Sequence, residues 1–214
     1  LNKDLQKINK ILKKYKPKYV VNYAAQGMVE QSWNNPEDWY FTNLYSQTKF
    51  YNSLLNYKFI KKIIHVSTPE VYGNTKKKIK ENYNFNPTTP YAISRAAMDF
   101  HLIKYHKYKN LPIILTRTAN IYGPGQQLYR VIPKSLFLCR KNKKFPLEGT
   151  GNTKRSFIYV DDASSATLKI CLRGKLGETY HISTNEIKTI KDVIKLVCKV
   201  TGRSFKQIIN LKKE

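Results

Sequence analysis

The sequence predicts an α/β protein with a doubly wound, mostly parallel sheet and a smaller C-terminal part. Three observations predict this class. Short apolar runs alternate with helical stretches along the chain, as in parallel strands joined by right-handed crossover helices. Polar segments follow the apolar runs, at the strand ends where such sheets bind ligands. The 214 residues, 41% of them hydrophobic, suffice for one large core or for a domain plus part of another.

The first half of the chain is predicted to form two helices and two strands. A helix covers the first sixteen residues, because Leu5, Ile8, Ile11 and Leu12 recur at helical spacing. The apolar run Tyr19–Ala25 fits a strand buried on both faces. Pro36 then opens a long helical stretch that extends to about Tyr57. The next strand is Ile63–Ser67.

The second half continues the alternation. A polar excursion leads to Thr89-Pro90, where a helix begins and extends to about Tyr108. The strand Ile113–Arg117 follows, and a turn is expected at Gly123–Gly125. A helix, a short strand and a further helix over 189–201 complete the predicted elements.

The charge of the chain is strongly positive, with a formal net charge of +25. Such a charge can indicate a nucleic-acid partner. The basic residues are scattered, however, in clusters such as 13–14, 76–78, 143–144 and 212–213, and the nucleic-acid-binding motifs are absent. We therefore expect no nucleic-acid partner, and instead a mild attraction for anionic substrates.

Cysteine usage and hydropathy exclude two further classes. Cys139, Cys171 and Cys198 have no metal-ligand spacing and lie in apolar helical contexts, so we expect reduced, buried thiols and no metal site. No stretch approaches the roughly 18–20 apolar residues that cross a bilayer, and no charged-then-apolar leader opens the chain. The sequence therefore predicts a soluble, cytoplasmic protein without a membrane partner.

Three polar segments are candidates for a site. Asn22–Gln26 has small residues that could let a ligand lie close to the backbone, although tight helix–strand packing would also select them. Ser67–Gly73 places a hydroxyl, Thr68, two residues before a carboxylate, Glu70, which suits a donor and a base or an ordinary polar turn. Tyr91 and Arg95 share a helix face at i, i+4, and a cation beside a phenol favours the phenolate.

Five segments in order resemble the extended short-chain dehydrogenase/reductase family, most closely its sugar-nucleotide 4,6-dehydratases. They are Asn22–Ala25, Ser67–Gly73, Pro90–Arg95, Arg117–Pro124 and Arg155–Asp162. The resemblance extends from about residue 4 to about residue 200. It implies a Rossmann-like fold in which residues 1–125 are the C-terminal portion of an NAD-binding domain. Residues 126–214 then form mainly the part that binds the sugar nucleotide, with segments returning to the sheet.

The resemblance also implies roles for individual residues. Tyr91 is expected to take the proton of the sugar C4 hydroxyl while NAD accepts the C4 hydride, and Thr68 to hydrogen-bond that oxygen. Glu70 matches the carboxylate that removes the C5 proton. The residues implied to contact NAD are Ala24, Ala25, Asn43, Tyr91 and Arg95.

Two further residues match substrate-binding positions of the family. Asn120 matches a residue that lies along the substrate, and as an alternative is a turn residue. Arg155 matches the arginine that binds the diphosphate, a role suited to its forked donors. Its alternative is a surface ion pair with Asp161 or Asp162.

Three departures from the family pattern qualify these roles. Pro69 stands where dehydratases of the dTDP-glucose type carry the Asp that protonates the leaving hydroxyl, so either Glu70 serves as both acid and base or the reaction is not that dehydration. Arg95 replaces the family lysine and keeps its charge. No Gly-x-x-Gly-x-x-Gly loop is present. We therefore expect the chain to be incomplete at both ends and to bind NAD poorly as given.

Other functions remain open from sequence. A 4-epimerase or a UDP-glucuronate decarboxylase of the same family shares Tyr91 and most of the frame. A non-catalytic nucleotide-sugar-binding homologue would also accommodate Pro69 and Arg95. The resemblance further implies a homodimer, formed through the helices near 37–57 and 90–108, and a place in polysaccharide biosynthesis.

Overall fold

The computed structural model describes residues 4–75 and 78–212, so part of the basic clusters at 76–78 and 212–213 lies outside the described residues. The α-helices are α1 (Leu5–Tyr15), α2 (Pro36–Tyr40), α3 (Gln47–Leu54), α4 (Pro90–Lys109), α5 (Val131–Arg140), α6 (Val160–Arg173), α7 (Ile190–Val200) and α8 (Phe205–Ile208). A π-helix at Phe41–Ser46 joins α2 to α3, and 3₁₀ turns occupy Glu30–Trp33 and Pro69–Tyr72.

The strands are short and alternate with these helices. They are β1 (Tyr19–Asn22), β2 (Lys62–Ser67), β3 (Ile113–Thr118), β4 (Asn120–Tyr122), β5 (Phe145–Glu148), β6 (Lys154–Tyr159), β7 (Thr179–Ile182), β8 (Ile187–Thr189) and β9 (Ile209–Lys212). The chain divides into two compact units. The first contains the described residues up to Thr118 and Ser165–Ile182, and the second contains Ala119–Ser164 and the described residues from Ser183 onward.

The first unit contains a parallel sheet in the order β1-β2-β3-β7. Its central strands bury nearly every side chain, as strands covered on both faces do. Ile63, Ile113 and Leu115 point to one face, where the core includes Phe50 of α3 and Leu102 of α4. Ile64 and Ile114 alternate to the other face and pack with Cys171 of α6. Helices therefore cover both faces, and the predicted α/β class with a mostly parallel sheet is confirmed.

The second unit has its own small core. Helices α5 and α7 pack there with β5 and α8, through the buried residues Cys139, Phe145, Leu147, Ile194, Val197, Cys198 and Ile208. The Cys139 and Cys198 sulfur atoms are 3.8 Å apart, and burial raises the pKa of the Cys198 thiol to about 11. In the sheets of this unit, β4 pairs parallel with β6, β6 antiparallel with β8, and β5 parallel with β9.

After Gly125 the sequence predicts one helix and one short strand before the last helix, whereas the structure has helices α5 and α6 and strands β5 to β8 there. Two predicted elements of the first unit differ in extent from those observed. The strand expected over Tyr19–Ala25 ends at Asn22, because the Asn22 side chain accepts a hydrogen bond from the Ala24 amide and the chain leaves the sheet there. The helix expected from Pro36 to about Tyr57 is α-helix, π-helix and α-helix in succession and ends at Leu54. The sequence pattern gives the helical period but not this change of winding.

Candidate active site

The carboxyl ends of β1, β2 and β3 share one edge of the sheet because these strands are parallel. In the register of the sheet, Asn22 at the end of β1 faces His65, and Ser67 at the end of β2 faces Arg117. The segments 23–27 and 68–73 therefore leave the sheet at the same edge. The candidate site is built from these two segments and from the start of α4.

The segment after β1 is held by side-chain hydrogen bonds rather than by strand pairing. Asn22 is buried; its Nδ2 donates to Gln47 Oε1 at 2.7 Å and to Tyr51 Oη at 2.8 Å, and its Oδ1 accepts from the Ala24 amide at 3.0 Å. The Gln47 amide in turn donates to the Ala24 carbonyl. The backbone at Ala24 is thereby fixed while the side chains of Ala24 and Ala25 remain exposed.

Asn43 holds the same segment one step further along. Its Oδ1 accepts from the Gln26 amide at 2.7 Å, and its Nδ2 donates to the Gln26 carbonyl at 2.9 Å and to Ser94 Oγ at 3.0 Å. Asn43 is fully buried and lies in the π-helix. The observed contacts therefore make it a support for the exposed segment at Ala24 and Ala25, whereas its direct contact with a cofactor stays a prediction.

The segment after β2 forms a tight turn. Thr68 caps the 3₁₀ turn, since its Oγ1 accepts from the Glu70 amide at 3.2 Å. Thr68 is 8% exposed and Glu70 is half-buried, whereas Pro69 is exposed. Gly73 closes the turn at φ +66°, where a Cβ would lie 2.1 Å from the Asn86 carbonyl oxygen. Only glycine fits that position without a backbone shift.

The first turn of α4 is anchored by two hydroxyl groups. Thr89 Oγ1 accepts from the Ala92 amide at 3.1 Å, as an N-cap does. Ser32 Oγ accepts from the Tyr91 amide at 3.1 Å and donates to the Val29 carbonyl at 2.5 Å. Ser32 is not among the residues predicted from the sequence; it is fully buried, and a buried hydroxyl has to find hydrogen-bond partners. These contacts fix the backbone that carries the half-buried Tyr91 side chain.

Arg95 lies one turn after Tyr91 and is 2% exposed. Its NH2 group donates to the Val66 carbonyl and lies 3.3 Å from His65 Nε2. Its Nε and NH1 are buried and have no hydrogen-bond partner among the described residues. Arg95 therefore joins the helix that carries Tyr91 to the end of the strand that leads into Thr68 and Glu70.

A buried histidine and a buried tyrosine, neither of them predicted from the sequence, lie beside this contact. Tyr51 Oη and His65 Nδ1 are 2.6 Å apart, and both residues are fully buried. Burial and then the positive charge of Arg95 lower the pKa of His65 well below its usual value, so its imidazole is neutral. Burial also raises the pKa of the Tyr51 phenol. A histidine within an otherwise apolar strand is the signal that could have found this cluster.

A second buried group extends from α4 to β3. The Arg117 guanidinium donates from Nε and NH2 to Asp99 Oδ2, both at 3.2 Å, and both side chains are buried. Its NH1 donates to Tyr72 Oη and, at 3.0 Å, to the Asn82 carbonyl. The Arg117 carbon Cζ lies 4.8 Å from the ring centroid of Tyr72. Arg117 thus fixes Tyr72, which follows Glu70 by two residues.

The two predicted substrate-binding residues lie in the second unit. Asn120 begins β4 and is exposed, and its Nδ2 donates to the Ser156 carbonyl at 3.4 Å. Arg155 lies on β6, which pairs with β4, and its NH1 donates to the Lys154 carbonyl at 3.0 Å. Neighbouring parallel strands carry both residues, and their binding roles stay predictions.

Two general properties bear on the chemistry. Within residues 4–75 and 78–212, no group of three or more His, Cys, Asp or Glu side chains could hold a metal ion. In the same residues, no helix has the length and apolar character that a bilayer crossing requires.

Comparison with known proteins identifies the family. The family model described as GDP-mannose 4,6 dehydratase matches residues 2–214. The chain is 35% identical over 190 residues to the dTDP-D-glucose 4,6-dehydratase of Bos taurus. The matched region covers 86% of this chain and 53% of the relative. The chain thus spans about half the length of that curated relative.

Solved structures agree with the fold described above. The dTDP-glucose 4,6-dehydratase of Bacillus anthracis, in complex with NAD, has a TM-score of 0.87 and 29% identity, and the match covers 99% of this chain and 65% of that one. The dTDP-glucose 4,6-dehydratase of Streptomyces venezuelae, also with NAD bound, has a TM-score of 0.90 and 25% identity over 98% of this chain and 64% of that one. The Rossmann-like interpretation is therefore confirmed, and the chain belongs to the GDP-mannose 4,6 dehydratase family.

Proposed function

We propose that the complete protein is an NAD-dependent sugar-nucleotide 4,6-dehydratase, which converts a nucleotide-linked hexose into its 4-keto-6-deoxy derivative. One observation carries the proposal. The guanidinium of Arg95 contacts the Val66 carbonyl, so the helix that carries Tyr91 lies against the strand that leads into Thr68 and Glu70. This contact supports a site in which a phenol, a cation, a hydroxyl and a carboxylate act at one edge of the sheet.

Arg95 also supports NAD as the cofactor. Its Nε and NH1 are buried donors without partners among the described residues, and such groups match a ligand rich in hydroxyl and phosphate acceptors. We assign contacts with this cofactor to Arg95, to Tyr91 and to the exposed segment at Ala24 and Ala25, with Asn43 behind that segment. When bound, NAD supplies a hydride acceptor for the sugar C4 and returns the hydride at C6.

The acid–base steps fall to three residues. Tyr91 acts as the base that removes the proton of the C4 hydroxyl as C4 is oxidised. Thr68 accepts from the Glu70 amide, so its own hydroxyl hydrogen can be donated to the C4 oxygen. The C4 ketone acidifies the C5 proton, which Glu70 removes. The C6 hydroxyl then leaves as water, and C5 takes up a proton from solvent when C6 is reduced.

Pro69 bears on the source of the proton that the C6 hydroxyl needs in order to leave as water. A proline side chain has no proton to donate, so the C6 hydroxyl has to be protonated by another group. Glu70 holds a proton directly after removing it from C5, and it can deliver that proton to the departing oxygen. Glu70 therefore acts first as base and then as acid.

Asn120 and Arg155 are proposed to bind the nucleotide-linked sugar. The Arg155 guanidinium has five donors in a planar fork, and its NH1 group contacts the Lys154 carbonyl. This geometry suits a diphosphate. Replacement of Arg155 by Lys retains the charge and loses the fork, so it should raise KM more than it lowers kcat.

A C4-deuterated nucleotide hexose tests the reaction. In the complete protein, the deuterium is expected to appear at C6 of the product. The variant Tyr91→Phe should lower kcat by about 10²–10⁴-fold, the usual contribution of a general acid–base group. Tyr108→Phe, at the exposed end of the same helix, is the matched control and should keep full activity.

The other functions predict different outcomes in the same assay. A 4-epimerase retains the deuterium at C4 and the oxygen at C6. A decarboxylase releases carbon dioxide from a nucleotide-linked uronate. Unchanged turnover by Tyr91→Phe would overturn the catalytic assignment, and absence of turnover with retained sugar-nucleotide binding would indicate a binding protein.

We further propose that the complete protein is a homodimer. The α2–π-helix–α3 segment exposes an apolar groove whose lining includes Tyr40, Phe41 and Tyr45. Phe41 and Tyr45 are about half exposed, and their rings stack with centroids 5.3 Å apart. Large exposed apolar surfaces on a protein of this size favour contact with another protein surface.

A further inference from the structure

His65 is buried in the middle of the site's polar groups and has no role in the chemistry described above. It lies on β2 and is fully buried. Its Nδ1 is 2.6 Å from Tyr51 Oη, and its Nε2 is 3.3 Å from Arg95 NH2 and 3.9 Å from Asp99 Oδ1. One imidazole therefore connects α3 to the Arg95 guanidinium, which we propose contacts the cofactor.

The Arg95 guanidinium is held along one edge only. NH2 carries two hydrogens, and it has two acceptors nearby, the Val66 carbonyl and His65 Nε2. The Nε and NH1 groups have no partner within residues 4–75 and 78–212. The contacts of NH2 therefore determine the direction in which the remaining three N–H bonds point.

The contact with Arg95 also specifies the histidine tautomer. A guanidinium only donates, so Nε2 has to present a lone pair and the ring hydrogen has to lie on Nδ1. There the hydrogen is donated to Tyr51 Oη, which also accepts from Asn22 Nδ2 at 2.8 Å. The opposite tautomer would set Nε2–H against the N–H groups of Arg95, two donors face to face.

We propose that His65 is a positioning residue for Arg95: its Nε2 accepts from NH2 and holds the guanidinium on β2, so that Nε and NH1 remain directed at the cofactor's hydroxyl groups. Asn22 and Tyr51 orient the imidazole from the other side. The inference rests on the proposed function, because the ligand of Nε and NH1 is NAD.

A double-mutant cycle in the complete protein tests the coupling. His65→Leu removes the acceptor at similar volume, and it should weaken NAD binding by about tenfold or more, since a contact to a charged group is lost. His65→Gln, whose amide oxygen can accept from Arg95, should restore most of the affinity. In an Arg95→Met background, His65→Leu should cause no further loss.

Two results of the cycle would overturn the inference. One is an equal loss of NAD affinity from His65→Leu with and without Arg95, which indicates a general packing effect. The other is a Gln variant as weak as the Leu variant. Should the Leu variant not fold, the Gln variant and the spectroscopic measurement below carry the test.

Nitrogen-15 NMR of the histidines reports the same contact without any cofactor. The His65 signals, assigned by their loss in His65→Gln, should show a neutral ring with hydrogen on Nδ1. Arg95→Met should shift the Nε2 signal strongly. A ring with hydrogen on Nε2 in the unmodified protein would refute the proposal. If the complete protein binds no NAD while this tautomer is observed, the proposed function fails and the His65–Arg95 contact stands.

Discussion

At the scale of single residues, the site rests on polar groups that the sheet buries. His65 is the sharpest case, because an imidazole in a fully buried strand position is held neutral by burial and by the charge of Arg95. In the unfolded chain the same imidazole is exposed to water and titrates near its usual pKa of about 6.5. Folding therefore favours the deprotonated form.

This difference predicts a pH dependence of stability. Because the folded-state pKa of His65 is lowered, its contribution is fully present above about pH 6.5, and the free energy of unfolding falls as the pH decreases below that value. His65→Gln should reduce this dependence by up to about 1.4 kcal/mol per pH unit. Urea unfolding of the two proteins between about pH 7 and pH 5 measures the difference.

The comparison of the parent with His65→Gln isolates the titration of His65, because the titratable groups around it are the same in both proteins. The groups that face the imidazole are Tyr51 on α3 and Arg95 and Asp99 on α4. These groups are present in both proteins, and so are His101 and His181, whose pKa values burial also lowers. Parallel stability curves for the two proteins would contradict the assignment of a neutral, buried His65.

At the scale of elements, the first turn of α4 controls the position of Tyr91. Thr89 caps this turn through the Ala92 amide. Thr89→Ala should lower the free energy of unfolding by about 1 kcal/mol, the usual cost of a lost N-cap. Thr88→Ala, at an exposed position one residue earlier, is the matched control and should have little effect. Equal losses from the two substitutions, measured by urea unfolding, would exclude the cap as the cause.

The sequence predicts the elements better than the contacts between them. Apolar alternation locates β2 and β3, and the Thr89-Pro90 pair locates the start of α4, because these signals are local. The break of the helix after Tyr40 into a π-helix has no local signal of this kind. It brings Asn43 to the segment after β1, and that contact depends on residues 17 positions apart in the chain.

In the candidate site, too, residues in short local motifs are predictable from the sequence, whereas residues that act through tertiary contacts are not. Thr68, Glu70, Tyr91 and Arg95 were found from spacing and from the family resemblance, since they lie in short contiguous segments. Ser32, Tyr51 and His65 were not, because each acts through a partner that only the tertiary structure brings close. Their roles are therefore visible only once the sheet and its covering helices are assembled.

At the scale of the whole molecule, we expect the exposed aromatic residues of the π-helix to lie in the interface of the proposed homodimer. Phe41→Glu introduces a charge into the apolar groove and should convert a dimer of the complete protein into a monomer. Analytical ultracentrifugation measures the change. Val200→Glu alters an 81% exposed residue of α7 in the second unit and should leave the dimer intact. A dimer that persists in Phe41→Glu would place the interface elsewhere.

The N–H groups of Arg95 that have no hydrogen-bond partner among the described residues also affect the stability of the protein without ligand. A buried cation with unused donors opposes folding, and a well-packed apolar side chain in its place is often neutral or favourable. Arg95→Met should therefore melt at an equal or higher temperature than the parent when no ligand is present. The parent should regain the advantage as NAD is added, because we propose that only its guanidinium binds the hydroxyl groups of the cofactor. The same side chain is therefore expected to lower thermal stability in the absence of ligand and to increase the affinity for the cofactor.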